Sequence, residues 1–113
     1  MSQFNAHTAA EDELLTKFNS TLEQIINATL KIAEIIKEIE NSADNEIIDT
    51  EMSKIHSIYD ERKTLSDTLK SMFESTIFKE NLVINNPLWD KYDNEISIIE
   101  LHNTEFLKKK LQK

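Results

Sequence analysis

Three histidines, 21 acidic residues and no cysteine set the chemistry this chain can attempt. His7, His56 and His102 fall on three different segments. A helix-borne zinc protease site needs two histidines four apart with a glutamate between them, and no HExxH occurs. A carboxylate-bridged di-iron bundle needs Glu three residues before His on two helices. Ser53 and Ile99 hold those positions ahead of His56 and His102. His102 and Glu105 share a helix face, where such pairs are ordinary surface neighbours. A catalytic acid needs a pocket that moves its pKa, and the serines and threonines sit in no nucleophile motif. The chain has no glycine, which phosphate loops, dinucleotide fingerprints, nucleophile elbows and calcium loops all require. The residues point away from an enzyme, a metal or a cofactor and toward a protein that binds another protein.

The elements that would position any such side chain read as long helices. Residues 1–7 read as a disordered N-terminus. Thr8 and Glu11 form a capping box, with acids following where the helix dipole favours them. Leu15, Phe18, Leu22, Ile25, Thr29, Ile32, Ile36 and Ile39 then repeat at alternating spacings of three and four, a heptad seam with one threonine in it. Leu14, Ile26, Ala33 and Ile35 widen the stripe enough for two neighbours. Asn41 to Asn45 break the pattern with residues that tolerate turns. The second seam runs through Ile48, Glu51, Ile55, Ile58, Arg62, Leu65, Leu69, Met72 and Thr76. Residues 75–86 lack a helical stripe and read as an irregular connection, with a short extended or helical stretch at 82–84. Asn86-Pro87 restarts a helix, since asparagine caps well and proline fits the first turn. Trp89, Tyr92, Ile96, Ile99, Asn103 and Phe106 form the third seam. Short connections favour antiparallel neighbours. The expectation is an all-α, antiparallel three-helix bundle of coiled-coil-like helices at about 8–41, 44–76 and 87–111, with 8–113 as one domain.

Charge narrows the partners. The net charge is −8, and four lysines lie in 108–113, so the first 107 residues carry nine basic groups against 21 acids. Such a surface repels phosphate backbones and anionic lipid, so neither nucleic acid nor membrane surface is expected as a partner. No 18-residue apolar run predicts a membrane span. The missing cysteines and the absence of a signal-peptide pattern fit a cytoplasmic location.

Two polar seam residues stand out. Arg62 either lays its stem on apolar surface or joins a buried ion pair, with Glu51 or an acid of another helix, that sets helix register. Asn103 can set register in the same way. Apolar residues off the seams are the better signal for a partner: Leu30, Phe78, Leu82, Val83, Ile98, Leu101 and Leu111 are the candidate partner-binding residues. The alternative is a wider stripe in which they pack internally.

Two stretches carry a resemblance. Ile58-Tyr59-Asp60-Glu61-Arg62-Lys63-Thr64-Leu65, with Leu69 after it, resembles the acidic-Arg-x-x-Leu-x-x-x-Leu stretch in the second helix of the FliT/FlgN-type flagellar export chaperones. The run Ile99 to Leu107, followed by lysines and Leu111, resembles their final helix. The resemblance implies a cytosolic chaperone that keeps a helical segment of an export substrate unassembled. It also implies a last helix, here 87–111, that can cover a groove on the first two. Two function classes follow: a chaperone or adaptor that holds a partner's amphipathic helix, or a structural coiled-coil subunit of a larger complex or homodimer.

Overall fold

The computed structural model describes residues 9–76 and 79–111, and the side chains of 12–76 and 80–110. The expected disordered segment 1–7, Thr8 of the capping box and Phe78 lie outside the described residues. The fold is all-α: among the described residues there is no strand. Helix α1 (Ala9–Glu40) and helix α2 (Asn45–Glu74) are the two long elements. A short helix α3 (Lys79–Val83) follows. Helix α4 (Pro87–Lys91), a π-helical turn (Tyr92–Ile96) and helix α5 (Ser97–Leu111) then succeed one another without a break, making one segmented rod over 87–111. The molecule measures 64 × 21 × 19 Å.

Side-chain pairs fix the directions. Phe18 meets Phe73, and Thr29 meets Arg62, so α1 and α2 are antiparallel. Phe18 also meets Trp89, and Thr29 meets Asn103, so the 87–111 rod runs parallel to α1. The first seam is buried where the heptad places it: Phe18, Leu22, Ile25, Thr29 and Ile32 are fully buried. Each large apolar side chain so buried contributes about 1.5–3 kcal/mol.

The core is two clusters rather than one. Phe18, Leu22, Ile25, Ile26, Leu69, Leu82 and Ile96 form the first, with Trp89, Tyr92 and Phe73 packed against it. Ile32, Ile35, Ile36, Ile39 and Ile55 form the second, with Phe106 and Leu107 against it. Thr29 lies between the two sets in the sequence of α1.

The helix ends follow from local chemistry. Asp44 caps α2, accepting from the Glu46 N–H at 2.9 Å. Asn86 caps α4 with Pro87 in its first turn, and its Oδ1 accepts from the Leu88 and Trp89 N–H groups. Its amide donates to the Leu82 carbonyl at 2.8 Å and to Asn19 Oδ1 at 2.7 Å, tying the cap to α1 and α3. The left-handed residue falls not in the first break but at Asn85 (φ 52°), where asparagine is tolerated. The connection expected as irregular over 75–86 contains α3, because Leu82 is pulled into the first cluster.

Candidate functional site

A polar layer crosses the middle of the helices. Thr29 Oγ1 donates to the Ile25 carbonyl at 3.0 Å and accepts from Arg62 Nε at 3.0 Å. Arg62 also donates to Ser66 Oγ at 3.4 Å and pairs through Nη2 with Glu100 Oε2 of α5. Asn103, 3% exposed, donates through Nδ2 to the Thr29 carbonyl at 3.1 Å. The Tyr59 hydroxyl lies 3.5 Å from Thr104 Oγ1, closing the α2–α5 side. Burial pushes the Tyr59 phenol up, and the Glu100 charge adds to that. Arg62 was expected to lay its stem on apolar surface or to join a register-setting ion pair with Glu51 or an acid of another helix, and Asn103 to set register in the same way. The acid that meets Arg62 is Glu100, and Thr29 joins the two.

Glu51, the other acid in the second seam, does not meet Arg62. It is buried and accepts from Lys54 Nζ at 2.8 Å. That bond holds Glu51 below the usual carboxylate range, and its bond with Glu38 lowers it further. Glu38 is pushed up by its bond to Glu51 and then by the Glu51 charge. Among the described residues no group of three or more His, Asp or Glu is placed to hold a metal ion.

A concave feature lies beside this layer. A groove of about 690 Å³ runs between the C-terminal halves of α1 and α5. Ala33, Ile36, Ile99, Asn103 and Phe106 line it, with Glu40, His102, Glu105, Lys109 and Lys110 along the rest of its wall. It exists partly because Ala33, the smallest side chain on that flank of α1, leaves space opposite Ile99 and Phe106. Lys110 is held over the Phe106 ring, 5.6 Å from its centre. The wall is apolar at the base and charged at the rim, which suits an amphipathic helix.

The candidate partner residues separate into three groups. Ile98 (56% exposed) and Leu101 (59% exposed) stand open to solvent on the outer side of α5. Ile98 is one turn from His102, on the same flank as the groove wall. Leu82 is corrected: it is a core residue, 2% exposed, because α3 folds onto Phe18 and Leu69. Val83 and Leu30 are half-buried against that cluster and keep part of their surface exposed. Leu111 ends α5, its side chain outside the described residues with Phe78. Ala33, Ile36, Ile99 and Phe106 were read from the sequence only as core, and nothing in their spacing marks a groove.

The third rod is firmly attached at its start. Trp89 lies 5.9 Å from Phe18, 5.8 Å from Phe73 and 5.5 Å from Tyr92, ring centre to ring centre. Ile96 is fully buried. Beyond the π-helical turn, its hold rests on Glu100, Asn103, Phe106 and Leu107. No helix of the described residues is long and apolar enough to cross a membrane. Compared with known protein families, curated proteins and solved structures, the chain matches none.

Proposed function

We propose that this chain is a small acidic chaperone or adaptor that holds an amphipathic helix of a partner protein, with no catalytic role and no cofactor. We take the 87–111 rod as the third member of an antiparallel helical bundle, in which α1 and α5 leave one open trough. The observation that supports this reading is that trough: about 690 Å³, with an apolar base of Ala33, Ile36, Ile99 and Phe106 under a charged rim. A helix laid there would bury two to three of its own anchors and complete a fourth side of the molecule. The resemblance in α2 and α5 extends the proposal to a cytoplasmic chaperone whose client is a flagellar export substrate.

The trough is preferred over a groove uncovered by release of the whole 87–111 rod. Such release would strip Trp89 from the first cluster and with it the fully buried Ile96, the latter worth about 1.5–3 kcal/mol of burial. Docking with the rod in place avoids that cost.

The test is binding of a labelled amphipathic helical peptide, read by fluorescence anisotropy, to the native chain and to Ala33→Phe. The larger side chain fills the trough from α1, where Ala33 shares its lining with Asn103. The expected result is measurable binding to the native chain and its loss in the variant, with helical content unchanged. Equal binding to both chains would refute the site. A tight self-association in sedimentation that competes with peptide would favour the structural-subunit reading instead.

A further inference from the structure

Asn103 is a polar residue in the base of an apolar groove, and its amide can be oriented without ambiguity. The Thr29 backbone carbonyl can only accept, so the Asn103 atom 3.1 Å from it is the NH₂ group. The carboxamide oxygen is therefore the group left over. Among the described residues, no donor reaches it. The residue is 3% exposed and lines the groove, and its oxygen is not among the buried side-chain atoms that lack a partner, so it keeps its access to water through the groove. A leucine or valine laid over the groove would take that access away and leave the acceptor buried without a donor, which is costly.

The base of the groove sets where the donor must come from. Ile99, Asn103 and Phe106 follow one another along α5 at spacings of four and three. They cover about 10 Å of helix rise, two turns. An occupying helix therefore presents an apolar anchor to Ile99, a second to Phe106, and one residue between them to Asn103.

We infer that the groove takes a partner helix whose apolar face carries a hydrogen-bond donor, a hydroxyl or a carboxamide, at its centre, where it meets the Asn103 side-chain oxygen. This rests on the groove being the binding site. The occupant is a different protein and not a second copy. Among the described residues, the exposed large apolar side chains are Ile47 on α2, Ile84 after α3, and Ile98 and Leu101 on α5. These are scattered over three places and offer no run at i, i+3 or i+4, and i+7. The recognition is a specificity device: an all-aliphatic helix of equal length is rejected because it buries the oxygen unpaired.

The experiment is a double-mutant cycle. Two synthetic amphipathic peptides are used, identical except for valine or threonine at the centre of the apolar face, a pair of near-equal shape that differs by the hydroxyl. Each is titrated against the full chain and against Asn103→Leu and Asn103→Ala, with far-UV circular dichroism checking helical content. The threonine-to-valine affinity ratio is expected to be about tenfold higher for the native chain than for either variant. The same ratio in all three chains overturns the inference while leaving the groove reading intact. Failure of both peptides to bind the native chain, or binding that survives Ala33→Phe, overturns the groove reading and this inference with it.

Discussion

Thr29 joins α1, α2 and α5 through one hydroxyl and one carbonyl. Its Oγ1 is donor to its own helix and acceptor from Arg62, and its carbonyl receives Asn103. Arg62 then carries the connection to Glu100 with both side chains mostly shielded. Removing one member of such a pair leaves the other charge stranded. Arg62→Met is expected to lower stability by about 2–3 kcal/mol in urea unfolding, and Arg62→Met with Glu100→Leu to recover most of it. The Glu38–Glu51–Lys54 group makes a prediction about pH. Glu51 is depressed, so its contribution is present at neutral pH and is lost as pH falls through its folded pKa. Glu38 is raised, so its contribution is present in acid and is lost as pH rises through its folded pKa. Glu38→Gln imitates the protonated form at every pH. It is expected to raise the melting temperature at pH 7, with the gain vanishing below about pH 4, where the native carboxyl is itself protonated.

The helices are ended and phased by a few polar groups. Asn86 accepts from two N–H groups of α4 while donating to α3 and α1. Asn86→Ala removes a cap and strands Asn19, and is expected to cost about 2 kcal/mol in chemical denaturation. The π-helical turn is the second such device. The Ser97 N–H reaches past Asp93 to the Tyr92 carbonyl, and the Ser97 hydroxyl, at 2.7 Å, serves the Asp93 carbonyl in its place. One extra residue is thereby held between the aromatic end of the rod and the polar layer. Deleting exposed Asn94 should turn the rod into plain α-helix and keep Trp89 and Asn103 in register, leaving the thermal melt cooperative. Deleting exposed His102 instead should rotate Asn103 and Phe106 out of the core by about 100° and abolish cooperative melting.

At the scale of the molecule, charge and shape decide what can approach. The chain carries a net charge of −8 on a rod 64 Å long. Its field favours a partner helix with basic flanks, and it acts mainly on the rate of encounter. A basic amphipathic peptide is therefore expected to associate more slowly as sodium chloride rises from 50 to ~500 mM, with dissociation changed much less. Stopped-flow anisotropy separates the two rates. An association rate indifferent to salt would show that the acidic surface takes no part.

The heptad seams were legible as residues. Phe18 to Ile39 on α1, Asn86-Pro87 as a helix start, and Arg62 and Asn103 as polar exceptions all follow from spacing and local chemistry, because a helix's period is a property of consecutive residues. The partner of Arg62 was not legible. Glu100 is one of 21 acids, and only the packing of α5 against α2 singles it out. Leu82 and Val83 read only as a short extended or helical stretch within an irregular connection, because α3 is too short to show a period, and contact with Phe18 and Leu69 draws the segment inward. Local order along the chain thus decided which stretches became helices and which faces were oily. How those faces met decided where Ala33 left a trough and which end of the Asn103 carboxamide was left without a partner, since those depend on distances between residues 33 and 99, or 29 and 103, that no sequence window spans.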